Sequence, residues 1–207
     1  MSNRDALIQG AKQCLMEKGY ARTTARDIAS ASGVSLAAIG YHFNSKEALL
    51  TEALMQAIEE WDEEFRQTLN RSENPKATPI ERFEITWQRL IETFETHRQM
   101  WVANLDVFSQ MDRVPEIRKV LGDRLLGARR GFASLFLNIE ESAVDKQTAR
   151  TVGAFYYALM SGLILLWLID PKHAPAACDL ADAMRSIAGS MQRKTKTSKK
   201  TPMRSIR

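Results

Sequence analysis

The chain has 207 residues, of which 44% are hydrophobic, so it can bury a full core in one or two domains. Long periodic apolar segments with few Gly and Pro residues predict an all-α fold and exclude a strand-rich one. The net charge of +4 is misleading, because residues 192–207 carry seven of the 29 basic residues and no acid. The other 22 basic residues face 25 acidic ones, so the body of the protein is mildly acidic.

The sequence offers little support for an enzyme. Its three histidines, His42, His97 and His173, are more than fifty residues apart and lack the spacing of metal ligands. It also lacks a Gly-rich phosphate loop, a Gly-x-Ser-x-Gly motif and a Cys-x-x-Cys motif. We therefore expect no enzymatic activity, no cofactor and no metal site.

The two cysteines indicate a reducing environment. Cys14 and Cys178 lie far apart, each within a helical pattern, and no secretory signal precedes them. We expect buried thiols in a cytoplasmic protein.

The first predicted helix spans residues 2–19 and ends at Gly19. Its apolar residues recur on one face and predict a supporting core. They are Ala6, Leu7, Ile8, Ala11, Cys14 and Leu15.

Residues 23–49 predict two short helices followed by the start of a long one. Thr23 or Thr24 caps the first helix, and Gly33 ends it, because glycine enters the left-handed region freely. Ser35 is expected to cap the second helix, residues 36–42, and the long helix begins at Lys46. Two helices joined by a short Gly-containing turn form a helix-turn-helix, which places its second helix in the DNA major groove. The alternative is a helical hairpin that only packs.

This stretch resembles the N-terminal domain of the TetR family of bacterial transcriptional regulators. The matching residues are Thr23, Thr24, Ile28, Ala29, Gly33, Val34, Ser35, Ile39, Tyr41, His42, Phe43, Ser45, Lys46, Glu47 and Leu49. One position departs from the family pattern, because Gly40 stands where the family often has a tyrosine. One aromatic phosphate contact is therefore expected to be missing.

The predicted DNA contacts lie around the second helix. We expect small apolar side chains to enter the groove, hydroxyl and ring groups to bind phosphate, and Arg26 to reach a base edge. Lys46 adds a cation beside a helix N-terminus. The complete set is Thr24, Arg26, Ser35, Leu36, Ala37, Ala38, Tyr41, His42 and Lys46.

The helix that begins at Lys46 has apolar residues at three- and four-residue steps up to Leu69. Its far end is acidic, so that end is expected to point away from DNA. A helix that contacts both regions predicts a mechanical link between them. Residues 71–78 form a polar break, and Thr78 and Pro79 start another helix.

The following helices combine bulky apolar side chains with a few polar ones. This composition fits a small-molecule pocket and fits a packed core equally well. The resemblance favours a pocket, because regulators of this family usually bind an effector there, here an apolar or aromatic one. The candidate ligand-binding residues are Trp87, Phe94, His97, Trp101, Asn104, Leu105 and Phe108.

Residues 149–169 are the most hydrophobic segment and are nearly long enough to span a membrane. Tyr156, Tyr157 and Ser161 within the segment, and Arg150 and Asp170 beside it, favour a buried or subunit-interface helix instead. The resemblance implies that this helix and the last one, residues 174–191, form a four-helix interface in a homodimer.

The sequence as a whole predicts an N-terminal three-helix helix-turn-helix domain and a C-terminal helical bundle, with about nine helices. We expect a DNA-binding domain at 1–47 (helix-turn-helix about 24–43), an effector-binding and dimerisation domain at 48–191, and a basic disordered tail at 192–207. The tail either solubilises the protein or adds non-specific attraction to DNA.

The resemblance implies a cytoplasmic homodimeric repressor that a small-molecule ligand releases from a palindromic operator in double-stranded DNA. The alternatives are a regulator or activator that needs no ligand and, in another class, a membrane-associated helical protein.

Overall fold

The computed structural model describes residues 2–71 and 76–198, which form nine α-helices and no strand. The predicted all-α fold is therefore confirmed. The helices are α1 (Asn3–Lys18), α2 (Ala25–Ser32), α3 (Leu36–Phe43), α4 (Lys46–Arg71), α5 (Pro79–Thr96), α6 (Arg98–Gln110), α7 (Pro115–Leu137), α8 (Lys146–Ile169) and α9 (Ala177–Ser198). A 3-10 turn, Glu141–Ala143, precedes α8, which contains a π-helical turn at Ala149–Gly153.

Side-chain caps explain where α2 and α5 begin. The Thr24 hydroxyl accepts a hydrogen bond from the Asp27 amide, and the Asp27 carboxylate accepts one from the Thr24 amide. Thr78 and Glu81 form the same reciprocal pair at the start of α5. Each pair satisfies two amides that have no partner inside the helix, so these two sequence-predicted starts are confirmed.

The turns on both sides of α3 are set by backbone conformation. Gly33 ends α2 with φ of 67°, in the left-handed region that favours glycine. Asn44 follows α3 with φ of 65°, and the Ser45 hydroxyl then accepts a hydrogen bond from the Ala48 amide at 3.0 Å. These two turns orient α3 between α2 and α4.

Helices α1 to α3 pack around the first half of α4. Their shared core is fully buried and includes Leu7, Leu15, Ile28, Leu49, Leu50 and Leu54. Helix α1 contacts α2 so closely at Gly10 that a Cβ there would lie 2.9 Å from the Ser32 Cβ. The first four helices therefore form one packed unit, and α4 continues from it into the rest of the protein.

The C-terminal bundle is built on aromatic packing. Trp87 and Phe94 of α5 are fully buried, and Trp87 stacks on Phe136 of α7 with ring centroids 5.3 Å apart. Phe136 in turn stacks on Tyr156 of α8 at 4.0 Å. Helix α9 packs against α5 on the other side. These contacts hold α5, α7, α8 and α9 together.

Helices α7 and α8 touch through their backbones at the π-helical turn. A Cβ on Gly153 would overlap the carbonyl oxygen of Arg129. We expect Gly153→Ala to lower the free energy of unfolding by about 1–3 kcal/mol, because a main-chain group must move to accommodate the methyl. Denaturant unfolding measures this loss, with Gly122→Ala in α7 as the control. Because a Cβ at Gly122 meets no atom within 4 Å, that variant should be unaffected or stabilised.

Two expectations from the sequence need correction. Cys14 is buried as expected, but Cys178 is exposed, because it lies on the outer face of α9. Helix α9 continues to Ser198, so the first residues of the predicted disordered tail are helical. The rest of the tail, residues 199–207, lies outside the described residues.

Candidate functional site

The outer surface of α3 is largely free of protein contacts. Ser35 precedes the helix and makes no capping hydrogen bond with its side chain, so its hydroxyl is free for a phosphate oxygen. Leu36 is 48% exposed and Tyr41 is 84% exposed, and Ala37 and Gly40 between them are also exposed. An exposed face of this composition suits close approach to another surface.

Ala38 does not share this free surface. Its side chain is half-buried and packs against the core, because Ala38 lies on the side of α3 next to buried Ile39. The groove contact of Ala38 stays a prediction, with less exposed surface to support it than Leu36 and Ala37 have. His42 is half-buried, and its ring lies edge-on to Tyr41 with centroids 4.8 Å apart.

Two predicted DNA-contact residues, Thr24 and Arg26, lie at the start of α2 and differ in whether their side chains already form hydrogen bonds within the protein. The Thr24 hydroxyl donates to Asp27 at 2.7 Å, and Lys18 donates to the same carboxylate at 2.6 Å. The Lys18 bond, followed by the Thr24 bonds, holds the pKa of Asp27 well below its usual value. Arg26 is exposed and makes no hydrogen bond or ion pair with any residue that the structure describes. Arg26 therefore has the freer side chain.

The ammonium group of Lys46 already has two partners within the protein. Its Nζ donates to the Thr23 carbonyl oxygen at 3.1 Å and lies 3.2 Å from Glu47 Oε1. An ammonium group has three N–H donors, so one remains for a phosphate oxygen. The bond to Thr23 also ties the start of α4 to the start of α2.

Lys46→Ala is expected to weaken binding to all DNA sequences alike and to lower the salt slope by about one unit. The reason is that a phosphate contact carries no sequence information. Binding titrations at several salt concentrations on two unrelated duplexes measure both quantities. A changed sequence preference with an unchanged salt slope would count against the prediction.

The exposed surface of α3 also predicts how sequence is read. Leu36, Ala37 and Gly40 present no side-chain hydrogen-bond donor or acceptor, so thymine methyl contacts and DNA shape remain. We expect a thymine opposite Ala37, where replacement by uracil costs about 0.8 kcal/mol, and a guanine contact from Arg26, worth about 1–3 kcal/mol. Competition binding with single-base variants checks both. Tolerance of uracil at every position, together with unchanged specificity of Arg26→Ala, would refute this account.

A second candidate site is a cavity of about 490 Å³ enclosed by α4, α6, α7 and α8. Most of its wall is apolar, with aromatic rings from all four helices. The rings belong to Trp61 and Phe65 of α4, Trp101 of α6, Phe132 of α7 and Tyr157 of α8. Its volume and lining are typical of a site for a small organic molecule.

Two of the seven residues that the sequence suggested for ligand binding lie in the cavity wall, where ligand binding stays a prediction. They are Trp101 and Asn104. Trp87 and Phe94 are instead fully buried core residues outside the lining, to which α5 contributes Leu90.

The other three candidates also lie outside the lining. The carbonyl oxygen of Thr93 accepts a hydrogen bond from His97 Nδ1 at 3.2 Å, in the tautomer that carries its proton on that nitrogen. Leu105 is half-buried, and Phe108 is exposed on the outer side of α6. These residues therefore end a helix or cover its surface.

The cavity-lining residues of α4 and α7 were not among those predicted from the sequence to bind a ligand. Trp61 and Phe65 stack at 5.4 Å within the acidic part of α4 that had been assigned only a linking role. On α7, Gly127 and Gly131 line the cavity. A Cβ at Gly127 would meet no atom within 4 Å, whereas one at Gly131 would lie 2.6 Å from Arg66 Nη2. Small residues at a four-residue spacing opposite an aromatic pair were the signal available in the sequence.

Charged groups in the cavity wall are only partly paired. Arg124 donates from Nε to Glu59 Oε1 at 2.7 Å, and Arg66 pairs with Asp62 at 2.8 Å. Asp123 also lines the cavity and forms no ion pair within the described part of the chain. The same holds for Glu141 at the 3-10 turn. The wall therefore has an excess of negative charge.

One residue of the cavity wall carries a buried polar group without a partner in the described part of the chain. Trp101 is buried, and its Nε1 has no hydrogen-bond partner within the described residues. A buried N–H without a partner is costly, so a ligand with a hydrogen-bond acceptor would remove that cost.

Helix α8 has an unusual surface. By length and composition it could cross a membrane, and only 22% of its most apolar stretch is buried within the monomer. Its exposed apolar residues, Phe155, Leu165, Leu166 and Ile169, fall on one face, together with Gly162. Ile187 and Met191 of α9 are exposed as well. An apolar surface of this extent marks an interaction site.

Comparison with known proteins agrees with this geometry. A family model described as "Bacterial regulatory proteins, tetR family" matches residues 7–53, which span α1 to the first turns of α4. The chain is 25% identical over 175 residues to the HTH-type transcriptional repressor BepR of Brucella suis, covering 82% of each chain. It is 26% identical over 115 residues to the repressor KstR2 of Mycolicibacterium smegmatis, covering 56% of this chain and 54% of that one.

A solved structure shows the same fold over nearly the whole chain. The multidrug binding protein EbrR, complexed with proflavin, superposes with a TM-score of 0.63 at 20% sequence identity. The match covers 89% of this chain and 99% of that one. At this level of identity the likeness concerns the fold.

Proposed function

Because the chain belongs to the TetR family of DNA-binding transcriptional regulators, we propose that it is a homodimeric repressor released from a palindromic operator by a small-molecule ligand. The matched relatives are named as transcriptional regulators, so the function is regulation of transcription rather than enzymatic catalysis. Release by a ligand, the dimeric state and the contact residues are the parts that we propose.

One observation carries the proposal: α4 belongs to both candidate sites. Its first turns pack against α1 and α3, and Lys46 at its start bonds to Thr23. Further along the same helix, Trp61 and Phe65 line the cavity. A ligand that shifts this part of α4 must also shift the part that supports α3, because a helix is continuous and stiff over this length.

The DNA-binding part of the proposal assigns α3 to the major groove. Tyr41, His42 and Ser35 contact phosphate oxygens, Leu36 and Ala37 approach the bases, and Thr24 keeps α2 in place through its cap. Arg26 and Lys46 contribute the cationic contacts.

The dimeric part of the proposal explains the surface of α8. Two copies that pair α8 and α9 about a two-fold axis would cover the exposed apolar residues of both helices. Each partner then contributes one reading helix, so the operator is a palindrome. The same packing accounts for the apolar length of α8 without a membrane, in a cytoplasmic protein.

The cavity wall indicates the chemical class of the effector. Its rings and its excess of acidic groups favour an apolar or aromatic body that carries a positive charge, since cations bind well over aromatic faces. The free Nε1–H of Trp101 adds a preference for a hydrogen-bond acceptor on the ligand.

Footprinting on the DNA that flanks the protein's own gene tests the proposal. We expect a protected palindrome with two half-sites about one helical turn apart. A thermal-shift screen of organic cations then identifies ligands, and each is added to the protein–operator complex. Release of DNA supports the repressor proposal.

Two outcomes would contradict it. Absence of a protected site in the flanking DNA and in selected random duplexes would remove the DNA-binding assignment. A protected site that no cavity-binding ligand releases would indicate a ligand-independent regulator or an activator.

A further inference from the structure

A chain of charged contacts crosses the protein from the cavity wall to the end of α3. It begins at Arg124, which lines the cavity and bonds to Glu59. The two Nη atoms of Arg124 also donate to the two oxygens of Glu52 on α4, at 3.2 and 3.3 Å. Glu52 is half-buried, with 17% of its side chain exposed. A paired, two-pronged contact of this kind is among the stronger ion pairs.

The chain continues from Glu52 to the DNA-binding helices. Arg4 of α1 approaches Glu52 Oε1 at 3.7 Å, which is within ion-pair range but beyond a hydrogen bond. The guanidinium of Arg4 lies over the ring of Phe43, 5.2 Å from its centroid. Phe43 is the last residue of α3 and is buried. Arg4 therefore stands between an acidic group that could attract it and the ring that it covers.

We propose that Arg124, Glu52, Arg4 and Phe43 form a relay that transmits occupancy of the cavity to the reading helix. When Arg124 leaves Glu52, the half-buried carboxylate loses its strong partner and draws Arg4 toward itself. Arg4 then leaves the face of Phe43, and the C-terminal end of α3 loosens. The relay rests on the proposed function only in one respect, namely that occupancy of the cavity by a ligand controls DNA binding.

The charge balance at Glu52 explains why Arg4 should move toward Glu52 when Arg124 leaves. Burial raises the pKa of Glu52, but the bonds and charge of Arg124, a hydrogen bond from Gln56 at 3.2 Å and the charge of Arg4 together keep the pKa below its usual value. A carboxylate held ionised in a half-buried position needs a cation nearby. Arg4 has 46% of its side chain exposed, so it has room to move closer. It is the second of the two cations that the structure places beside Glu52 in its described part.

Hydrogen exchange of the α3 backbone amides in the full-length protein tests the relay without DNA or ligand. In Arg124→Met we expect exchange at residues 40–43 to rise by about fivefold or more, the lower end of ordinary coupling between sites. The matched control is Arg118→Met, because Arg118 is also on α7 and pairs with exposed Asp112 at 2.7 Å. The control should leave exchange in α3 unchanged.

A second variant separates the relay from general destabilisation. Adding Glu52→Gln to Arg124→Met removes the charge that draws Arg4 away, so exchange in α3 should return toward the wild-type rate. Weakening that came only from the lost packing of the Arg124 side chain would not be repaired at Glu52. Removing the unpaired Glu52 charge can also restore global stability, so denaturant unfolding of both variants is measured as well, and only a change in α3 exchange larger than the change in stability counts for the relay. If Arg124→Met does not fold, Arg124→Lys serves instead, since lysine keeps the charge but loses the two-pronged contact.

The relay is refuted if the Arg124 variant leaves exchange in α3 unchanged, if Arg118→Met raises it equally, or if the double variant fails to restore it. Because DNA and ligand are absent from the measurement, such a failure leaves operator binding and ligand release to be judged by footprinting.

Discussion

Leu166→Glu is expected to convert the dimer into monomers and to weaken operator binding at least a hundredfold. Leu166 is 50% exposed in the monomer and lies on the apolar face of α8. In the proposed dimer this face is covered, so the substitution would bury an unpaired carboxylate from each partner. An unpaired buried charge costs about 3–5 kcal/mol, which corresponds to more than a hundredfold in dissociation constant.

Sedimentation equilibrium measures the dimer, and a filter-binding titration on the operator measures DNA affinity. The control is Ile85→Glu, which places the same charge on an exposed apolar position of α5. That variant should remain dimeric. A Leu166→Glu protein that stays dimeric would place the interface elsewhere.

The second large effect concerns the charge of the effector. Tetraphenylphosphonium should bind at least about tenfold more tightly than tetraphenylborate, which has the same shape and the opposite charge. Cation–π contacts are worth about 0.5–2 kcal/mol each, and the acidic excess of the cavity wall adds to them. Quenching of tryptophan fluorescence reports binding, because Trp61 and Trp101 line the cavity.

A pair of variants locates the charge that matters. Glu141→Gln removes an unpaired acid from the cavity wall and should narrow the difference between the two probes. Glu140→Gln removes the neighbouring acid outside the lining and should not. Equal or tighter binding of tetraphenylborate would overturn the cationic effector and leave the DNA-binding assignment untouched.

The helix-turn-helix could be predicted from the sequence because its signals are local. Thr24 with Asp27, Gly33, and Ser45 each act within three or four residues, through a hydrogen bond or a backbone angle. Such signals do not depend on how helices cross. How much of Ala38 stays exposed could not be predicted in this way, because the side of α3 that faces the core depends on the angle between α3 and its neighbours.

The cavity could not be predicted to the same extent for a related reason. Trp87 and Trp101 have the same chemistry in the sequence, yet one is central core and the other is a cavity wall. The difference arises from how the helices pack around each residue, and the residue type alone does not specify that packing. The pairing of Arg124 with Glu52 joins residues 72 positions apart, so no local pattern reveals it.

The backbone contact between Gly153 and Arg129 determines how α7 can respond to a ligand. At that point α7 and α8 cannot come closer, so a ligand that moves α7 would have to tilt it about the contact rather than press it onto α8. Arg124 lies five residues away, about 7.5 Å along the helix axis. A tilt of about 10° would therefore move Arg124 by about 1.3 Å while Arg129 stays in place. A displacement of this size is enough to break the bonds to Glu52. The same tilt would move Phe136, seven residues beyond Arg129, by about 1.8 Å against its stacking partners Trp87 and Tyr156, so the response at Arg124 is coupled to repacking of the aromatic core.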